Sequence, residues 1–182
     1  MFEECIQGED LSSDVFNWNL VFMQTMSAQA TSARRLPTDD LESLFKASRG
    51  TRGDRVVIVR EGIPGEVVPV IAARLHWSQT RLFETLGVAR TSIRRHILTG
   101  SRLGIRDSER LLAMVDLVVM AEEMKIRADC AEGFDSAQWL GAWLLEPCGA
   151  LGGKTPASYL DTLEGCELVG QLLMQIEYGA YA

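Results

Sequence analysis

The sequence lacks the residue clusters that mark metal sites. It has only two histidines, His76 and His96, and its four cysteines form no CxxC pair. The cysteines are Cys5, Cys130, Cys148 and Cys166. We therefore expect reduced, mostly buried thiols and neither a metal nor a cofactor.

The sequence also lacks the patterns of exported and membrane proteins. A signal peptide begins with a basic segment, whereas Met1–Asp10 is acidic. The apolar run from Val15 to Met23 is too short for a membrane span and is interrupted by Asn17 and Asn19. We expect a cytoplasmic protein that makes no membrane contact.

Charge is distributed unevenly along the 182 residues. Residues 1–48 carry 3 basic and 8 acidic groups, residues 49–110 carry 12 and 6, and residues 111–182 carry 3 and 11. The net charges of −5, +6 and −8 add to the formal −7. Because phosphate attraction is local and screened beyond about 10 Å, a basic centre between acidic ends favours a DNA-binding module joined to another domain. An ordinary solvated charge pattern is the alternative.

Residues 1–50 are predicted to form a flexible arm with one short helix near 39–48. Ser, Gln, Thr and Asn are frequent in the first 35 residues, and no helical stripe persists there. Thr38 is a candidate N-cap for the helix, with Leu41, Leu44 and Phe45 on one side. Met26 precedes an ordinary-looking start, so residues 1–25 are a candidate upstream extension. A peptide mass beginning at Met1 would refute that hypothesis.

The rest of the chain predicts an all-α protein with two parts, residues 51–130 and 131–182. Arg55 to Arg60 is predicted as a brief strand or an extended linker, and short helices follow from Pro64 onward. The first expected helix has Pro64 in its first turn, the second covers Gln79–Leu86 after the cap Ser78, and the third covers Arg90–Leu98. A long helix is expected after the cap Asp107, another helix ends at Pro147, and the last covers Leu163–Tyr178.

Residues 79–96 have the apolar spacing of a helix-turn-helix. Leu82, Leu86, Val88 and Ile93 are predicted to face inward, and Gly87 permits the sharp turn. Two departures from the pattern are Phe83, where a small residue is usual, and Ala89, which is a poor N-cap.

The second helix of this motif is predicted to bind DNA. No acidic residue lies between Glu84 and Asp107, whereas five arginines do. Arg90, Thr91, Arg94 and Arg95 are predicted to approach base edges in the major groove, and Ser92 and Arg102 to contact phosphate. The alternative is that these arginines pair with the acidic C-terminal part.

No enzyme site is predicted. Gly149–Thr155 resembles a phosphate-binding loop, but Cys148 stands where that motif needs glycine, and Pro156 obstructs the helix that should follow. A tight turn between helices fits better. Trp139 and Trp143 are spaced to stack a ligand, yet such a pair is more often part of a core.

From about Ile63 to Ala182 the sequence resembles the Xre/MbcA/ParS antitoxin family. The similarity is carried by the Asp107–Leu111 segment and by a set of C-terminal residues. That set comprises Trp143-Leu144, Pro147, Ala150 to Pro156, Leu160-Asp161-Thr162, Gly165, Val169, Leu173, Ile176 to Gly179, and Tyr181. Cys148 departs from the family, in which Asn often follows the proline.

The resemblance implies an antitoxin of a type II toxin-antitoxin system. Such a protein neutralises a RES-domain toxin that consumes NAD, and it represses the shared promoter as a homodimer on operator DNA. In members of this family the C-terminal end of the antitoxin reaches the entrance of the toxin's active site. The implied toxin-binding residues are therefore Glu177, Tyr178, Gly179, Ala180, Tyr181 and Ala182, with two tyrosines as anchors. For Tyr178, packing beneath the last helix is an equally good expectation.

Two other functions are compatible with the same sequence. A free-standing helix-turn-helix transcriptional regulator would bind DNA without a stoichiometric toxin. A pure interaction module with a degenerate motif would bind DNA neither specifically nor in a salt-dependent way.

Overall fold

The computed structural model describes residues 37–128 and 133–177, with side chains from Leu41 onward. Every regular element in these two ranges is helical, which confirms the predicted all-α fold. The α-helices are α1 (Pro37–Ser48), α2 (Arg52–Glu61), α3 (Val67–Arg74), α4 (Gln79–Thr85), α5 (Arg90–Thr99), α6 (Ile105–Arg127), α7 (Ser136–Trp143) and α8 (Leu163–Glu177). Two short 3-10 helices, Gly149–Leu151 and Pro156–Tyr159, connect α7 to α8.

Helix α6 is the structural spine. It packs against α1, α2, α7 and α8, and its predicted stripe Leu111, Val115, Val118 and Val119 is buried. Asp107 does not cap this helix, contrary to the prediction. The helix begins two residues earlier, after Gly104, and Asp107 lies in its first turn, where a carboxylate still interacts favourably with the helix dipole.

Helix α2 replaces the strand or linker predicted over Arg55 to Arg60, and that prediction is wrong. Thr51 starts the helix with a capping box. Its side chain accepts from the backbone N–H of Asp54, while the Asp54 carboxylate accepts from the backbone N–H of Thr51 at 2.9 Å. The backbone N–H groups of Thr51 and Asp54 thereby both have acceptors, and this start signal outweighs the strand preference of the valines that follow.

The other helix ends follow local signals to different degrees. Ser78 caps α4 and Gly100, at φ +63°, ends α5, both as predicted. The short helix predicted near 39–48 is present as α1, although it begins at Pro37 and not after a cap at Thr38. The start predicted at Pro64 is wrong, because α3 begins only at Val67. Pro64 instead forms an isolated antiparallel bridge with Arg102.

The described residues all belong to one compact unit. The predicted boundary near residue 130 therefore stays a prediction. Trp77, before α4, donates its indole N–H to the carbonyl of Gly141 on α7 at 2.9 Å in the buried interior. No described helix is long and apolar enough to span a membrane.

Candidate functional site

Helices α4 and α5 follow one another along the chain and are joined by the segment Leu86–Ala89. Leu82, Leu86 and Ile93 are buried as predicted, and Val88 is half-buried. Phe83 is also buried, so its bulky ring is part of the interior. Gly87 has φ +60°, a conformation that L side chains rarely adopt.

Arg110 bonds to the turn between α4 and α5, and Asp161 lies close to it; neither of these contacts was predicted from the sequence. Arg110 on α6 donates from its guanidinium to the carbonyl of Gly87 at 2.7 Å. A Cβ added at Gly87 would lie 3.2 Å from the Cβ of Asp161, which precedes α8. Both contacts join residues far apart in sequence, so no local pattern announces them.

The exposed surface of α5 carries the candidate DNA-binding groups. Arg94 and Arg95 are exposed, and within the described ranges neither forms an ion pair or hydrogen bond through its side chain. Thr91 is exposed and Ser92 half-buried. Arg90, by contrast, forms an ion pair with Glu84 on α4, so part of its charge is neutralised within the helix pair.

Arg102 lies outside α5, in the segment that leads to α6. Its guanidinium donates to the carbonyl of Gly62 at 2.6 Å, and its backbone bridges to Pro64. Nearby, the Nδ1 of His96 and the hydroxyl of Ser101 are hydrogen-bonded at 2.7 Å. Arg102 therefore has an intramolecular role that the sequence analysis did not anticipate.

The alternative that the arginines of α5 pair with the acidic C-terminal part finds no contact in the described residues. The arginines from other elements that pair with acidic side chains of α6 are Arg49, Arg55 and Arg74, from α1, α2 and α3 or their ends. The basic face of α5 is thus left available to a ligand.

The C-terminal part presents an aromatic pair on α7. The rings of Trp139 and Trp143 stack with centroids 6.2 Å apart and an interplanar angle of 15°. Both side chains are half-buried, whereas Leu140 and Leu144 on the other side of the helix are fully buried. The stacked indole rings are therefore partly accessible to solvent.

The predicted toxin-binding residues fall mostly beyond the described part of the chain. Glu177 ends α8, and its carboxylate accepts from Nη2 of Arg127 at 2.9 Å and also contacts Nε. It is therefore engaged within the molecule. Tyr178, Gly179, Ala180, Tyr181 and Ala182 lie outside the described residues.

The thiols and the glycine-rich loop have simple surroundings. Burial raises the pKa of the Cys166 thiol to about 11, and the nearby Asp116 adds to the effect. The loop Gly149–Thr155 is a closed turn in which the backbone of Cys148 bridges to Lys154. Over residues 37–128 and 133–177, no group of three or more His, Cys, Asp or Glu residues is arranged to hold a metal ion.

Comparison of the amino-acid sequence with known proteins gives two matches. Residues 131–179 match the profile described as the antitoxin Xre/MbcA/ParS C-terminal toxin-binding domain. The chain is also 33% identical over 162 residues to a protein named Prs ADP-ribosylating antitoxin, from Sphingobium sp. (strain YBL2). That similarity covers 86% of this chain and 100% of the relative, so it includes α4 and α5 as well as the C-terminal part.

Proposed function

The chain belongs to the Xre/MbcA/ParS antitoxin family, and from this premise we propose that it binds and neutralises a RES-type, NAD-consuming toxin and represses its own promoter. The match of residues 131–179 to a toxin-binding domain is the observation that carries the proposal. The finer points, namely the toxin type, operator DNA, a homodimer and a cytoplasmic location, rest on the additional arguments below.

The proposed toxin chemistry has support in the relative's name. The words "ADP-ribosylating" are attached to that antitoxin. ADP-ribosyl transfer takes its ADP-ribose from NAD and releases nicotinamide, which agrees with a partner that uses NAD. We assign the transfer to the toxin, because the part of this chain that the family profile matches is described as toxin-binding.

The assignment of catalysis to the toxin has a direct test. The purified chain, the toxin and their complex are each incubated with NAD labelled in the adenylate part, and label on protein and free nicotinamide are measured. We expect activity from the toxin alone and its suppression in the complex. Labelling or nicotinamide release by the chain alone would make this protein an enzyme and overturn the assignment.

Operator binding is proposed for the exposed face of α5. Arg94 and Arg95 are exposed on α5, the second helix of the motif, and such a helix fits the major groove of DNA. Arginine grips guanine with two hydrogen bonds, and Thr91 lies on the same helix. Arg102, held by Gly62, is a candidate phosphate contact only through its remaining donors.

The DNA proposal is tested by Arg94→Ala with Arg95→Ala in a gel-shift titration on the chain's own promoter. We expect operator binding to weaken by at least about 10²-fold, since a base-contacting pair contributes about 1–3 kcal/mol per residue. Lys46→Ala, an exposed cation on α1, removes charge outside the helix pair and should leave binding nearly unchanged. Equal effects of the two changes would refute a specific role for α5.

The toxin proposal is tested by co-purification with the neighbouring toxin and by truncation after Glu177. We expect a stable complex for the full chain and loss of protection in cells for the truncated chain. A matched variant, Tyr178→Phe with Tyr181→Phe, keeps both rings and removes only the hydroxyl groups, so it should retain most protection. Full protection by the truncated chain would show that the tail does not block the toxin.

A free-standing transcriptional regulator is the second candidate, favoured by the exposed arginines of α5. It predicts specific DNA binding with no stoichiometric protein companion. Mass spectrometry of material that co-purifies with the tagged chain separates the two functions.

A further inference from the structure

Helix α2 presents apolar side chains that the rest of the described structure does not cover. It contains four consecutive β-branched residues, of which only Val59 is buried. Val56 is 46% exposed and Val57 is 54% exposed. Burying such side chains stabilises a protein by about 1.5–3 kcal/mol each, so a ridge of exposed valines on a well-capped helix indicates a surface with a partner.

A groove of about 1240 Å³ lies beside this ridge. Helix α6 forms its floor, while α2 and α8 form its walls. Three exposed apolar side chains lie on its rim: Ile105 is 55% exposed, Leu163 41% and Met174 44%. With Val56, these residues make up four of the large exposed hydrophobic side chains in the described ranges, gathered at one place. We name this feature the α2–α8 groove.

The two walls of the α2–α8 groove differ in charge. Arg52 and Arg60 are exposed on the α2 wall, and neither forms an ion pair with a described residue. Glu167 is exposed on the α8 wall. Two further pairs of charges in the groove are matched internally, since Arg55 donates to Asp116 at 2.8 Å and Arg49 to Glu123 at 3.3 Å.

We propose that the α2–α8 groove is the homodimer interface, with α2 of each copy seated in the groove of the other. An apolar ridge and an apolar groove occur side by side on one chain, and a two-fold axis brings the basic wall of one copy against the acidic wall of the other. A partner that filled only the groove would contact Val56 and leave Val57 exposed. The inference rests on the homodimer in the proposed function and supplies the surface that forms it.

The first test compares two isoleucines on the same helix. Ile105→Glu places a carboxylate on the groove rim, whereas Ile126→Glu does so at the other end of α6, outside the groove, where Ile126 is 73% exposed. Sedimentation velocity of the full chain without toxin measures the monomer–dimer equilibrium. We expect Ile105→Glu to raise the dimer Kd by at least about tenfold and Ile126→Glu to leave it within about threefold.

The second test reverses the wall charges. Arg52→Glu and Glu167→Arg should each weaken the dimer, because like charges then face each other twice across the two-fold axis. The double variant restores opposite signs, so its Kd should return toward that of the unmodified chain. Such recovery cannot come from misfolding, which would be worse in the double variant.

The outcomes separate this inference from the proposed function. A dimer that persists unchanged in Ile105→Glu and in both single charge reversals would overturn the interface and leave the proposed dimer standing. A monomeric unmodified chain at all concentrations would overturn both the interface and the dimer. If the unmodified chain is monomeric and captures the toxin but Ile105→Glu does not, the groove is assigned to the toxin instead.

Discussion

Gly141 is the residue at which α7 approaches the segment before α4 most closely. A Cβ at this position would collide with the backbone carbonyl of Leu75, and Trp77 donates to the Gly141 carbonyl from the same side. Because the obstacle is backbone rather than a flexible side chain, the contact cannot be relieved by a rotamer change. The glycine is required here for close approach, not for an unusual backbone angle.

We predict that Gly141→Ala lowers the free energy of unfolding by about 3 kcal/mol, at the upper end of overpacking effects. Urea denaturation followed by circular dichroism measures the change. Gly149→Ala is the matched control, since a Cβ at Gly149 meets nothing within 4 Å. Equal stabilities of the two variants would contradict the close approach.

Cys166 predicts a pH dependence of stability in the alkaline range. Its thiol has a pKa of about 11 in the folded chain against an ordinary value of 9.0. The folded state therefore holds the proton more tightly, and its stability falls as the pH rises from about 9 to 11.

We expect the fall to be on the order of 2 kcal/mol, and Cys166→Ala should lose this component. Denaturation curves at several pH values test this. In parallel, iodoacetamide should modify the half-buried Cys148 well before Cys166 in the folded chain. Parallel pH profiles of the two proteins would refute the assignment to Cys166.

Helix α2 shows at the element scale where local sequence signals compete. Val56 to Val59 favour a strand, yet the capping box of Thr51 and Asp54 starts a helix. The hydrogen bonds from Thr51 lower the pKa of the Asp54 carboxyl below its ordinary value. The carboxylate form, and hence its part in the cap, is present at neutral pH and disappears only as the pH falls through that lowered pKa.

We predict that Thr51→Ala destabilises α2 by about 1 kcal/mol, whereas Thr51→Ser keeps the hydroxyl and most of the stability. Hydrogen exchange locates the effect: amides of α2 should exchange faster in Thr51→Ala, while those of the buried centre of α6 stay protected. Exchange that rises uniformly over the chain would contradict a local cap.

The sequence predicted elements well where one residue decides an end and poorly where several compete. Ser78 and Gly100 were sufficient to delimit α4 and α5. Asp107 has the chemistry of a cap, yet α6 begins at Ile105 and places Asp107 inside its first turn. In the candidate site, exposure of Arg94 and Arg95 followed from helical periodicity. The roles of Arg110 and Asp161 did not, because their contacts cross more than 20 residues of sequence.

At the scale of the whole molecule, the basic segment and the acidic C-terminal part are joined by a shared interior. Helix α6 packs on both sides of the predicted boundary, and Arg110 connects it to the turn that positions α5. Residues that present the candidate DNA-binding face are thus held by the same core that supports α7 and α8. Composition alone located the charge segregation, but it carried no information about this shared core.

We therefore predict that the described part of the chain unfolds in one cooperative step and that Trp77 stabilises it across the predicted boundary. Trp77→Phe removes the donor to the Gly141 carbonyl and leaves that buried acceptor unpaired, which costs about 1–3 kcal/mol. Trp143→Phe, at a half-buried stacked ring, is the control and should cost less.

Urea unfolding is followed by circular dichroism and by the emission of the remaining tryptophans, which report mainly on α7 in Trp77→Phe. Coincident transitions with a lowered midpoint are expected, because a shared core melts as a unit. Two separate transitions in the unmodified chain would mean that residues 51–130 and 131–182 fold independently.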